Sequence, residues 1–206
     1  MKLQDNKIYL ASKSPRRREL LRQIGVHFEI LLLRDATPRQ PDVSEAVLPN
    51  ETPQHYVSRV TNAKAAAAWN MMLMRKLPIR PVLAADTTVV LNGVITGKPA
   101  NRAEAFAMLS GLSGQTHQVY TSVAVHFHHH QNERTQLSDV TFCALTPQQI
   151  NHYCDSQEPY DKAGGYGIQG SAAQFISHIS GSYSGIMGLP LFETAQLLAE
   201  SGISIP

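Results

Sequence analysis

The residues of this chain most plainly placed for chemistry are an acid and two lysines set into apolar patterns. Asp86 stands inside "VLAADTTVVL", where a charged group is costly unless it is paired or coordinates a metal. Either it caps local backbone at a strand end or it is held there for catalysis. Lys98, in "TGKP", comes back toward the start of that strand after an Asn92-Gly93 turn. A strict two-residue hairpin pairs Leu91 with Val94 and hence Thr87 with Lys98. Lys98 then shares a face with Thr87, and Asp86 points to the other side. A bulge at Gly97 would re-aim the lysine. Lys64 extends a helical stripe begun by Val57 and Val60, and either snorkels to water or meets a phosphate.

A second anomaly is the arginine run in "LASKSPRRRELLRQIG". Ser14 suits an N-cap, Pro15 a first helical position and Gly25 a stop. Arg16, Arg17 and Arg18 then crowd a helix N-terminus, each unfavourable by ~0.3–1 kcal/mol unless an anion sits among them. Guanidinium forks suit phosphate oxygens, and several cations with a few carboxylates fit a metal-bound polyphosphate. Neither GxxxxGK[ST] nor a GxGxxG after a strand is present. The glycine-rich "DKAGGYGIQG" permits positive φ and close backbone approach. Within it Gln169 offers a donor and an acceptor to a pyrimidine or adenine edge, and Lys162 adds a positive charge. His126, His128, His129 and His130 suggest a metal site, but no carboxylate or cysteine stands at ligand spacing, which favours a solvated hairpin tip.

The elements that must position these residues alternate between helix and strand. "KIYLA" and "VHFEILLL" read as strands around the first helix, followed by a long loop through "RDATPRQPDVSEAVLPNETP". Thr52 and Pro53 open a long helix, Asn101 with Glu104 a capping-box helix, and Thr146, Pro147 and Gln149 another. In "HQVYTSVAVHF" residues Val119, Thr121, Val123, Val125 and Phe127 share one face. "HHHQNERTQLSDV" reads as a connection, "VTFCALT" as the returning strand, "AQFISHI" as a further strand, and "LPLFETAQLLAESG" as a closing helix. At least two hairpins interrupt the alternation, so the expected sheet is mixed.

Bulk properties narrow the class. The 206 residues, 43% hydrophobic, suffice for one large domain or two lobes on a shared core. A net charge of +2 is too balanced for a non-specific nucleic-acid binder. No apolar run reaches the ~20 residues of a membrane span, and no signal-peptide pattern opens the chain. Cys143 and Cys154 supply neither a disulfide framework nor metal-ligand spacing and read as reduced thiols. A cytoplasmic globular protein is expected.

In order along the chain, "LASKSPRRRELL", "AADTTVVLNGVITGKP", "LSGQTHQVYTSVAV", "DKAGGYGIQG" and "GLPLFETAQLL" resemble the Maf family of nucleoside triphosphate pyrophosphatases, from about Ile8 to Glu200. The resemblance implies an α/β fold like that of the ITPases: a mixed twisted sheet flanked by helices, two lobes around a deep cleft, and a single domain over residues 1–206. It implies a homodimer that cleaves nucleotides between the α and β phosphates with Mg²⁺ or Mn²⁺, clearing nucleotide pools and forming no stable nucleic-acid or membrane complex.

By the same resemblance Ser12 and Arg17 fall on the phosphate-binding opening, and Asp86 on a catalytic aspartate that accepts a proton and binds metal. Lys98 falls on the lysine of "KP" and Lys64 on that of "KA". Glu45, in "DVSE", matches the acid of a "DIDE"-like segment and would share the metal. The helix motif "AxEKA" stands here as "TNAKA", without its glutamate. Arg16, Thr87 and Gln169 match the branch acting on dTTP and UTP, whereas the 7-methyl-GTP branch carries Trp, Gln and Glu there. Two other readings stand beside this one: a pyrophosphatase for non-standard nucleotides such as 7-methyl-GTP, and a nucleotide-responsive regulator of cell division.

Overall fold

A computed structural model describes residues 6–34 and 40–205. Residues 35–39, part of the long loop expected from the sequence, lie outside the described residues. Strands β1 (Lys7–Leu10) and β2 (His27–Ile30) pair in parallel, Lys7 against His27 through Leu10 against Ile30. Between them runs α1 (Pro15–Gln23). Its capping is local chemistry and matches the sequence expectation. The Ser14 hydroxyl accepts the Arg17 amide at 3.4 Å, Pro15 takes the first turn, and Gly25 ends the helix at φ 70°.

The long helix α2 (Pro53–Met74) starts after Thr52, whose hydroxyl accepts the His55 amide at 3.3 Å. Its Ala65, Ala68, Trp69 and Met72 pack with Tyr9, Val82, Ala84 and Ala124 in one apolar core. Strand β3 (Val82–Leu91) pairs with β1 in parallel and with β4 (Val94–Thr96) antiparallel. Asn92 and Gly93 turn at φ 51° and 79°, the paired positive values of a type I′ hairpin. Leu91 faces Val94 as counted from the sequence, but the ladder ends at Val89 and Thr96 and does not reach Thr87 and Lys98. Beyond it the Gly97 carbonyl accepts the Gly164 amide at 3.0 Å instead.

Helix α3 (Arg102–Leu112) is capped by Asn101, whose side chain accepts the Glu104 amide at 3.0 Å. The reciprocal bond of a strict capping box is displaced by one residue: Glu104 accepts the amide of Ala100 at 2.9 Å. β5 (Thr116–Phe127) turns over His128, at φ 55°, directly into β6 (His130–Phe142). The connection expected over residues 128–140 is therefore mostly strand. Its first half carries Gln131, Glu133 and Thr135 half-buried, with exposed Asn132 and Arg134 between them, so it shows no hydrophobic alternation. α4 (Pro147–Cys154) opens with a full capping box of Thr146 and Gln149. β7 (Ile176–Ser180), antiparallel to β6, is followed by a short α5 (Tyr183–Met187) that no sequence pattern announces, and by α6 (Leu191–Glu200).

Among the described residues seven strands form one mixed sheet in the order β2-β1-β3-β5-β6-β7, with β4 paired off the path on β3. The α/β class with a mixed sheet is as expected. Two compact units divide the described residues. One draws on Met1–Asp86, Thr121–Gln136 and Gly188–Pro206, the other on Thr87–Tyr120 and Leu137–Met187. The second has its own core, in which Leu109, Val119, Phe142, Tyr153, Tyr166 and Phe175 meet. Among the described residues no helix is long and apolar enough to cross a membrane.

Candidate active site

The first unit answers the question posed by Asp86. Its side chain is buried at the end of that unit's stretch of β3, and Lys64 Nζ from α2 donates to Asp86 Oδ1 at 2.8 Å. The same ammonium lies 2.6 Å from Glu45 Oε1. One lysine therefore bridges an interior acid and an acid of the preceding loop, and it does so because the helical stripe of Val57 and Val60 aims it inward. A partner at this distance offsets part of the desolvation cost that makes an unpaired acid anomalous at this position.

The loop carrying Glu45 is fastened to the first turns of α2. Tyr56 Oη donates to the Glu45 carbonyl at 3.1 Å, and Arg59 Nη2 to the Ala46 carbonyl at 2.9 Å. Arg59 also grips Glu51, at 2.5 and 2.8 Å, and holds that carboxyl down to about 2. Burial, then the charges of Asp86 and Glu45, push the Tyr56 hydroxyl up to about 12, which keeps it a donor. Nothing in the sequence singles out Tyr56 and Arg59. They occupy ordinary helix positions, and only their reach to the loop gives them a role.

At the opening of α1, Arg17 Nε donates to the Gly188 carbonyl at 2.6 Å and Nη1 to Ser12 Oγ at 3.3 Å. Ser12 Oγ also accepts the Ser14 amide at 3.2 Å. Desolvation draws the Arg17 guanidinium below its ordinary value, while Asp86 opposes that, Arg16 adds to it and Glu45 opposes it again. Ser12, Arg16, Arg17, Glu45, Lys64 and Asp86 thus form one electrostatic neighbourhood. Arg16 is half-buried beside them.

The remaining expected residues belong to the second unit. Thr87 follows Asp86 in β3 and is half-buried, and Lys98 is exposed just beyond β4. Gln169 is exposed within a turn closed by the Gly170 amide on the Gly167 carbonyl at 3.0 Å. Lys162, expected as an added charge, is engaged within its own loop, 2.5 Å from both the Glu158 carbonyl and Asp161 Oδ1. The glycines serve the chain's own packing. A Cβ on Gly164, at φ 71°, would lie 2.9 Å from both Val89 methyls, and one on Gly165 would touch Pro99.

The histidine-rich turn is aromatic packing. His126 stacks on Trp69 at 4.9 Å and 9°, and His128 meets Trp69 edge-on at 6.0 Å. Among the described residues no group of three or more His, Cys, Asp or Glu could hold a metal ion. Glu45 and Asp86 nevertheless converge on a single cation, the Lys64 ammonium. Two hard oxygen donors that share one cation have the chemistry a divalent ion would use.

The model of the family described as "Maf-like protein" matches residues 7–201. A protein of Nitrosomonas europaea named dTTP/UTP pyrophosphatase is 54% identical over 200 residues, covering 97% of each chain. One of the same name from Nitrosospira multiformis is 56% identical over 201 residues, 98% of this chain and 97% of its own. Another from Ralstonia nicotianae is 55% identical over 199 residues, 96% and 95% respectively. Among solved structures, that of the Staphylococcus aureus Ham1 protein is a remote likeness, at 14% identity and TM-score 0.44 over 66% of this chain and 71% of that one.

Proposed function

Since this chain belongs to the Maf family, we propose that it hydrolyses dTTP and UTP to the nucleoside monophosphate and pyrophosphate. The observation that carries the reading is the buried Asp86, paired with a lysine that also faces Glu45, in a chain more than half identical to proteins named for that reaction. Water attacks the α-phosphorus, the bond to the bridging oxygen breaks, and its electron pair leaves with pyrophosphate. Asp86 orients the water and takes its proton. Asp86 and Glu45 would hold Mg²⁺ or Mn²⁺, and the ion when bound supplies charge neutralisation at the α-phosphate.

Lys64, Arg17 and Lys98 bind the β and γ phosphates and stabilise the departing pyrophosphate, work that is mainly electrostatic positioning. Ser12 and the first amides of α1 add donors to the same oxygens. Arg16, Thr87 and Gln169 select the base, Gln169 by presenting a donor and an acceptor to a thymine or uracil edge. The same reading makes the enzyme a cytoplasmic homodimer, which sedimentation would check.

Pyrophosphate release from a nucleotide panel, with Mg²⁺ and then with a chelator, tests this function. Expected are turnover of dTTP and UTP that the chelator abolishes, and little turnover of 7-methyl-GTP. Asp86→Asn should cut turnover by about 10²–10⁴-fold while leaving nucleotide affinity largely intact. Undiminished catalysis by that variant would remove Asp86 from the mechanism.

A further inference from the structure

The glycine-rich segment is tied down by a carboxylate that belongs to none of the phosphate-binding residues. Glu158 Oε2 accepts the Ser171 amide at 3.0 Å and the Ser171 hydroxyl at 2.8 Å. Its Oε1 accepts Tyr153 Oη at 3.0 Å. The Lys162 ammonium reaches back to the Glu158 carbonyl at 2.5 Å. Two glycines lie directly on this pair. A Cβ on Gly170 would overlap the Glu158 carboxylate, and one on Gly167 would come within 2.8 Å of Lys162 Cε. Gly170 is extended, at φ −97° and ψ −162°, so what it supplies is space for the carboxylate and not an unusual backbone angle. Gln169 sits exposed between these two braced glycines.

We propose that Glu158, steadied by Lys162, is a positioning residue for base selection: it fixes the turn that presents Gln169 and so sets how tightly thymine and uracil nucleotides are held relative to other bases. The inference rests on the reading of Gln169 as the residue that meets the base. An amide tells one base edge from another only while its nitrogen and oxygen are held in place, and exposed glutamine on a glycine-flanked turn lacks rigidity of its own. The brace supplies it. Burial alone would raise the Glu158 carboxyl, but the bonds from Ser171 and Tyr153 and the charge of Lys162 bring it below its ordinary value. It is therefore an ionised, acceptor-only group facing three donors.

Glu158→Leu keeps most of the bulk and removes both acceptor oxygens. Steady-state kinetics should show KM for dTTP and UTP raised about tenfold, kcat within about twofold, and the preference over dCTP reduced to match. Gly170→Ala should reproduce that split by crowding the carboxylate. Its effect should shrink in the Glu158→Ala background, where the space is free. Hydrogen exchange gives a readout independent of turnover, because protection of the Ser171 amide should be lost in Glu158→Leu. Unchanged exchange, an unchanged preference, or equal losses in kcat for every nucleotide would overturn the role given to Glu158. If Gln169→Glu leaves the base preference intact, or the wild-type chain releases no pyrophosphate from dTTP, the underlying reading fails. The exchange experiment then still decides whether the brace exists.

Discussion

Lys64 neutralises two carboxylates at once, and removing it asks whether another cation can take its place. Asp86 and Lys64 side chains are 12% and 16% exposed and Glu45 is 52% exposed, so this is a half-buried triad. Lys64→Ala should destabilise the protein by about 1–3 kcal/mol in chelator, less than for a fully buried pair because Glu45 is partly hydrated. Mg²⁺ or Mn²⁺ should then raise the melting temperature of the variant by more than that of the wild type. A variant that gains nothing from either ion would show that the two acids do not share a metal. Residues of this kind are legible in a bare sequence, because Asp86 in an apolar strand and Lys64 on an apolar stripe violate the patterns around them. Tyr56, Arg59 and Glu158 violate nothing. Their importance lies in contacts with residues several positions away or on another loop, and spacing alone carries no trace of those.

Among the elements, caps and tight turns are the most readable features, since Thr52 with Pro53, Asn92 with Gly93, and Thr146 with Gln149 each act within a few residues of themselves. The strand β6 is unreadable for the opposite reason. Its early residues are polar, and only pairing along its whole length makes them a strand. The glycine-rich segment does need close approach, but at Gly164 the approaching partner is Val89 in the protein itself. Gly164→Ala combines a positive φ with crowding against the Val89 methyls and should cost about 2 kcal/mol or more in urea unfolding. Gly97→Ala is the control. A Cβ there meets nothing within 4 Å, and the change should stay within about 0.5 kcal/mol. Equal losses at the two positions would mean that the close contact at Gly164 is not what constrains it.

For the molecule as a whole, acid should weaken the fold through a histidine outside the proposed chemistry. His117 is buried with Nε2 2.7 Å from Tyr166 Oη and Nδ1 without a hydrogen-bond partner, and burial pushes its pKa down to about 4. Once unfolded it takes up a proton near the ordinary pKa of about 6.5. Between these values the unfolded chain binds more protons, so its contribution is whole above about pH 6.5 and is lost as pH falls toward 4, on the order of 3 kcal/mol in all. Urea midpoints at pH 7.5 and 5 should differ in the wild type and converge in His117→Gln. An unchanged difference would place the acid sensitivity elsewhere. The division of the chain carries a further consequence, for inheritance. Four junctions, after Asp86, Tyr120, Gln136 and Met187, separate the two units, and one unit is assembled from three stretches and the other from two. No single crossover between genes can therefore exchange one unit intact. Borrowing a ready-made half from a cousin would take several exchanges at once, whereas replacing single residues where they stand takes none.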